Sequence, residues 1–297
     1  MSTLKSEPYA VIVQMLALAS RMEEEGQLNL AKLLRAASDG LLRRAAYQQK
    51  LPTAKERLLG EVRELAQALP ALDVDPQLVA ALQRGADSLA QSRLPFIENV
   101  PNPFVCRTCG HILLSETEVP CPTCGASPAT FQQFPPVFWL GALNPFQALA
   151  YLRQTPEQVA TLLEGLSEAA LERQPSDGGW AIRHVITHLR DAQLLVDYRI
   201  PLMLAEDNPS LEAKSVFEWA TQEGERPLPV QEIFDAYRAS RRNTLTNLER
   251  IPLQDWWRTG RHQEFGVVTI LQQASYFALH EVTHLSQLED LRRGNYS

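Results

Sequence analysis

The chain has 297 residues, 45% of them hydrophobic, with a formal net charge of -7 and a pI near 5.5. That length suits about two domains with buried cores. The acidic balance, with no basic stripe, excludes a nucleic-acid-binding surface, and no apolar run approaches the roughly 20 residues of a membrane span. Neither nucleic acid nor membrane is therefore expected as a partner. Tyr9 to Ser20 is apolar, but Gln14 interrupts it, Lys5 is balanced by Glu7, and helical patterning runs on past it. It reads as a helix rather than a signal peptide. All four cysteines fall in one nineteen-residue window, the pattern of a metal site rather than of disulfides, and the expected compartment is cytoplasmic.

Residues 1–95 read as a helical segment. Apolar residues recur at helical spacing over 8–24, 28–48, 52–69 and 75–93, punctuated by Gly26, Pro52, Pro70 and Asp75-Pro76. Thr53 suits the cap of the third helix, and Asp75 with Pro76 at the first helical position suits the fourth. The passage from Glu23 to Ala37 resembles a helix-turn-helix of the rubrerythrins, which are ferritin-like di-iron proteins. That family goes on to place a Glu and a His three residues apart on iron. This chain has Leu41 and Arg44 there, neither able to replace them, so no di-iron centre is expected. The run Glu23-Glu24-Glu25 reads as a solvated helix end, and the segment as a scaffold or dimerisation surface.

Residues 96–135 carry the strongest local signal, Cys106-Arg-Thr-Cys109-Gly110 and, further on, Cys121-Pro-Thr-Cys124-Gly125. Two Cys-x-x-Cys-Gly turns let four thiolates approach one ion as a closed tetrahedral site. The glycine after each pair permits the φ > 0 knuckle that turns backbone N–H groups toward sulfur. With Phe104, Val105, Pro122, Ala126 and Phe131, the passage resembles the rubredoxin-like module of rubrerythrins. The resemblance implies iron and one-electron chemistry, but four thiolates hold Fe or Zn alike. His111 is not needed as a ligand and reads as a surface residue.

Residues 136–297 read as a four-helix bundle, with helical stretches over 144–173, 179–206, 229–250 and 266–293. In the last, His280 and His284 lie one turn apart, His284 on the apolar arc between Phe277 and Leu291 and His280 at its edge. One turn of spacing lets two imidazoles share an ion. His188 lies on the same side of its helix as Val185, Ala192 and Leu195, and supplies a third inward imidazole. Three histidines leave other positions open for water or substrate, which catalytic metal sites need. His184 shares that face and is a weaker ligand candidate. The string His280-Glu281-x-x-His284 also matches a zinc-protease pattern, but Gln287 and Asp290 stand where the compact variant needs Gly and His. His262 is expected to cap a helix or line the pocket mouth, and Trp180, Trp256 and Trp257 to pack in the core and rim.

This half resembles the DinB-like superfamily through Gly179-Trp180, Ile182, His188-Leu189 and Asp191, then Gly266-Val-Val-Thr269, then His280-x-x-x-His284-Leu-x-Gln287. The resemblance implies that His188, His280 and His284 bind a divalent metal, Zn, Ni, Fe or Mn. It also implies a hydrolase or a thiol S-transferase that uses a low-molecular-weight thiol. Such a metal would ionise a thiol or acidify a water for attack on an electrophile in a small-molecule substrate. Asp191 and Glu281 are the first choices for orienting the ligands or accepting a proton. Bundles of this kind often dimerise, which leaves a homodimer open.

The expectation is thus a mostly α protein in three parts: a helical segment (1–95), a small β-rich four-cysteine knuckle (96–135) and an antiparallel four-helix bundle (136–297). The leading function is a metal-dependent transferase or hydrolase. The alternative is a redox or metal-responsive protein with a rubredoxin-like iron centre, the bundle serving for docking.

Overall fold

The computed structural model describes residues 8–49, 55–72, 74–175, 179–212 and 228–294. It is mostly helical, with two small sheets. The chain forms two compact units, Met1–Ser92 with Phe104–Gln132, and Arg93–Pro103 with Gln133–Ser297. The four-cysteine segment is thereby grouped with the N-terminal helices.

In the first unit, α1 (Pro8–Glu24) and α2 (Leu28–Tyr47) form an antiparallel pair. Gly26 takes a φ of +73° in the turn between them, a conformation that favours glycine. Arg35 of α2 reaches back to Glu23 at 2.7 Å, and this hydrogen-bonded pairing holds the Glu23 carboxyl below its ordinary range. Leu41 and Arg44 are exposed on α2. α3 (Lys55–Ala68) packs on α4 (Pro76–Ala90), whose start is fixed as its sequence suggests: the Asp75 carboxylate accepts the Gln77 N–H at 2.7 Å, with Pro76 at the first helical position. The Thr53 cap lies outside the described residues. The knuckle is a three-stranded sheet of β1 (Phe104–Cys106), β2 (Ile112–Leu113) and β3 (Phe131–Gln133), in the order β2-β1-β3.

In the second unit the elements are α5 (Pro145–Leu163), α6 (Glu168–Leu171), α7 (Ile182–Ala205), β4 (Ser210–Leu211), α8 (Val230–Arg250), β5 (Thr259–His262), β6 (Gly266–Thr269) and α9 (Ile270–Arg293). Helix α9 packs on α5 and α7, and α8 packs on α7 and α5, closing a four-helix ring. Two expected spans are corrected. The stretch 144–173 breaks after Leu163, where Gly165 takes a φ of +75° and Ser167 caps the short α6 through the Ala170 N–H. The stretch 266–293 is helical only from Ile270. Gly266–Thr269 instead pairs antiparallel with Thr259–His262, in the register Thr259↔Thr269 to His262↔Gly266. Thr269 then caps α9 in a reciprocal box with Gln272. Strand β4 joins this hairpin in parallel. At Gly260 the hairpin packs closely on its neighbours: a Cβ there would stand 2.7 Å from Leu211 Cδ1 and 3.2 Å from Met203 Cγ, so the Leu211 side chain would have to shift. Arg258 ties the hairpin to the end of α7 by donating to the Met203 and Glu206 carbonyls at 2.8 and 3.0 Å.

Two apolar clusters fill the bundle. One holds Leu152, Val196, Ile200, Met203, Trp256 and Phe277; the other holds Val159, Val185, Ile186, Leu189, Ile233, Phe234 and Leu288. Each of the four long helices α5, α7, α8 and α9 passes from one cluster to the other, and at that seam each buries polar groups: Thr155 on α5, Gln193 on α7, Ser240, Arg241 and Thr244 on α8, and Glu281 on α9. The Arg241 guanidinium, 1% exposed on its side chain, pairs with the fully buried Glu281 carboxylate. It also donates to Gln193 Oε1 at 2.6 Å and to the Leu152 carbonyl at 2.9 Å. Tyr237 donates its hydroxyl to the other Glu281 oxygen at 3.2 Å, and Gln193 donates to Thr244 at 2.8 Å. Burial alone would discharge Arg241, but Glu281 beside it holds its pKa above the ordinary value.

Breaking one partner of such a pair leaves an uncompensated buried charge, whereas replacing both with apolar groups does not. Arg241→Met should therefore destabilise the protein by about 3–5 kcal/mol in urea denaturation, and Arg241→Met with Glu281→Leu should recover most of that loss. Equal losses in the single and double variants would show that charge compensation is not what the seam depends on.

Candidate metal centre

The three histidines meet at this seam. The cap at Thr269 starts α9, and Gly294, with a φ of +71°, ends it. Phe277, Ala278, Glu281, Leu285 and Leu288 form its buried stripe, which seats the half-buried His280 and His284 against α7. On α7, Val185, Ile186, Leu189 and Ala192 are buried and bring His188 to face them. His280 Nε2 lies 3.2 Å from His188 Nε2 and 3.1 Å from His284 Nε2. The three rings cross at 69° to 81°. One nitrogen from each ring lies within 4.8 Å of the others.

This set fits a metal ion. At a metal–nitrogen distance of about 2.0–2.1 Å, tetrahedral ligands stand roughly 3.3 Å apart, close to the distances from His280. The rings are also in the right protonation state. Burial, with the neighbouring imidazoles adding to it, pushes His188 down to about 4 and His280 down to about 3. Burial lowers His284 as well, against the pull of the Gln287 hydrogen bond and the Glu281 carboxylate. All three are therefore neutral near pH 7, with lone pairs to give. His284 Nδ1 lies 2.9 Å from Gln287 Oε1. An N–H on that side leaves Nε2 free to bind metal. His280 Nδ1 is buried and, among the described residues, has no hydrogen-bond partner.

The other expected residues fall in several places. Glu281 has one carboxylate oxygen on Arg241 and the other on Tyr237. Asp191, 8% exposed, pairs with Arg190 at 2.7 Å. His184 is exposed and outside the cluster; its Nδ1 accepts the Ala181 N–H at 3.1 Å at the start of α7. His262 caps a turn rather than a helix. It is buried in β5, where its Nδ1 accepts the N–H groups of Glu264 and Phe265 at 3.2 and 3.3 Å. Trp256 is core and Trp257 is exposed. Trp180 does more than pack at the rim: its ring lies 5.2 Å from that of His188 and stacks at 6.3 Å, 9° from parallel, on that of His284. Tyr276 stacks on His280 at 5.6 Å. Gln287 and Tyr276 were not singled out as site residues, although Gln287 stands three residues beyond His284, within reach of that ring on one helix face.

The four cysteines form a second candidate site in the first unit. Their Sγ atoms lie within 4.8 Å of one another, with Cys106–Cys124 at 3.8 Å and Cys109–Cys121 at 3.7 Å. A tetrahedral ion with metal–sulfur bonds of about 2.3 Å sets sulfurs roughly 3.8 Å apart. Gly110 and Gly125 take φ values of +81° and +73°, closing the two knuckles by bonds from their N–H groups to the Cys106 and Cys121 carbonyls. Burial pushes the Cys106 thiol up, but the N–H groups of Cys109 and Thr108 and the Thr130 hydroxyl outweigh it and bring it down to about 6. His111 is half-buried and bonds Thr123 at 3.1 Å, outside the thiol set.

A four-helix ring with three converging imidazoles at its polar seam defines a candidate helical metal centre. Residues 151–288 match the DinB superfamily model, so the C-terminal half is a DinB superfamily domain. A protein from Oceanobacillus iheyensis named "Putative metal-dependent hydrolase OB0782" is 26% identical over 140 residues, spanning 47% of this chain and 81% of its own. A Geobacillus thermodenitrificans protein of the same general name is 31% identical over 83 residues, 28% of this chain and 47% of its own. The structure of YfiT from Bacillus subtilis is 20% identical and covers 52% of this chain and 89% of its own, with a TM-score of 0.46. The matched region contains all three histidines. Among the described residues, no helix is long and apolar enough to cross a membrane.

Two outcomes follow. Gln287→Leu should leave the ligands in place yet lower metal affinity about 10- to 100-fold in a chelator competition. The second concerns pH. His188 and His280 titrate well below the unfolded value of 6.5, so below that pH the unfolded chain takes up protons that the metal-free folded protein refuses. Stability of the metal-free bundle is full above about pH 6.5 and should fall by about 2 kcal/mol or more between there and pH 4, a slope that His280→Leu reduces.

Proposed function

We propose that the bundle is a metal-dependent enzyme in which His188, His280 and His284 hold one divalent ion. The convergence of their three Nε2 atoms at the polar seam carries this reading. A divalent ion supplies such a site with Lewis acidity, making a water or a low-molecular-weight thiol acidic near neutral pH. The chain's own residues do the rest. Gln287 fixes the His284 tautomer. The Arg241–Glu281 pair holds α8 against α9 and so keeps His280 and His284 in register with His188. Trp180 and Tyr276 wall the imidazoles and limit their rotation. The substrate class is a small electrophile, and the reaction is hydrolysis or attack by a thiol sulfur on that electrophile, forming a C–S bond as the leaving group departs. The names carried by the Oceanobacillus and Geobacillus relatives favour hydrolysis. The four cysteines are read as a separate metal site of structural or electron-carrying type, holding Zn or Fe.

Metal content per chain tests this. Wild type should carry an ion that His284→Ala loses while the four-cysteine ion stays, and Cys109→Ser should do the reverse. If His284→Ala removes no metal, the three-histidine reading is wrong. Hydrolysis of an activated ester, compared with thiol-dependent consumption of an aryl halide, then separates the two reactions, and either activity should fall at least about 100-fold in His284→Ala.

A further inference from the structure

Tyr276 connects the three histidines to a second polar cluster that the reading above leaves unused. It comprises Arg199 of α7, Gln273 and Tyr276 of α9, and His262 and Glu264 of the β5–β6 hairpin. Arg199 is only 4% exposed. Its guanidinium donates to Gln273 Oε1 at a long 3.4 Å and to the Glu212 backbone carbonyl. Among the described residues, no carboxylate lies within 4 Å of it, in contrast to Arg241. Glu264 is the nearest in effect. It is half-buried and acts on Arg199 through space, and burial of Arg199 outweighs it, pulling the guanidinium down to about 10. Gln273, 1% exposed, uses its oxygen on Arg199, and among the described residues its Nε2 donor has no acceptor. His262 spends Nδ1 on two backbone N–H groups, which leaves its proton on Nε2 as a further donor.

A buried cation with no described carboxylate in contact is costly, and so is a buried amide donor without an acceptor. A fold retains both where a ligand completes them. Arginine's planar fork matches a carboxylate through two parallel bonds. We infer that Arg199 and Gln273 form a subsite for the carboxylate of a small-molecule ligand whose reacting end lies at the three-histidine centre. The second half of that statement rests on the metal-enzyme reading; the carboxylate subsite does not. One charge suits the site better than two, because Glu264 acts on Arg199 through space and would repel a phosphate dianion.

The test is isothermal titration of the full chain. Propionate and propionamide probe the subsite alone, in wild type and in His284→Ala. Propionate should bind both proteins at least about tenfold more tightly than propionamide. Arg199→Gln should abolish the preference. Glu264→Gln, which removes the competing carboxylate, should tighten propionate severalfold and keeps the test decisive if Arg199→Gln fails to fold. 3-Mercaptopropionate against 3-mercaptopropan-1-ol then probes the link to the centre: in wild type the acid should bind more tightly, and in Arg199→Gln the two should be equal. No preference for propionate in wild type, or weaker or unchanged binding in Glu264→Gln, would overturn the subsite whether or not metal is bound. A preference that persists in a wild-type protein found to carry no histidine-bound metal would uphold the subsite and remove the metal-enzyme reading instead.

Discussion

The pairing of Arg241 with Glu281 constrains the rest of the bundle. Both side chains are out of water, so neither can be charged without the other. Their pairing demands that α8 and α9 meet at one register, and the Gln193 and Leu152 contacts extend the demand to α7 and α5. Apolar packing alone tolerates sliding and repacking. A satisfied polar layer does not, because any shift strands a charge. His280 is the residue next to Glu281, so the register that satisfies the charge also sets an imidazole.

That coupling explains how a site can be both buried and ready. Imidazoles in water protonate near pH 6.5 and cannot then bind a cation. Here burial and mutual repulsion keep the His188 and His280 rings neutral far below that value, and burial lowers His284 as well. The four cysteines solve the opposite problem in the first unit, where backbone N–H groups and a hydroxyl favour the thiolate at Cys106. One chain thus carries a closed, soft donor set and an open, borderline one, which differ in the metals and the chemistry they admit.

Much of this was legible in the amino-acid order. Local signals carried through: the i, i+4 pair His280 and His284, the inward phase of His188, and the two Cys-x-x-Cys-Gly turns each depend on residues close in sequence. What was not legible depends on partners from elsewhere in the chain. Glu281 was read as orienting a ligand or accepting a proton, and its contacts with Tyr237 and Arg241 were not legible because those partners come from another helix some forty residues away. Arg199 was not singled out, since its burial is not a local property. Gly266–Thr269 was read as helix because its apolar residues run on into α9, and only the pairing with Thr259–His262 makes it a strand. The break at Gly165 was available in principle, since a glycine followed by a serine cap is a stop-and-start signal.

The distance along the chain between His188 and His280 has its own consequence. The two rings that nearly touch are 92 residues apart in sequence and lie on α7 and α9, with the whole of α8 and the β5–β6 hairpin between them. An ion held by these rings would be a cross-link as well as a Lewis acid. It would close a loop across most of the bundle and remove conformations from the unfolded chain that would otherwise be free to form. Occupancy of the candidate centre would therefore be coupled to the integrity of the domain around it, through a clasp between its second and fourth long helices.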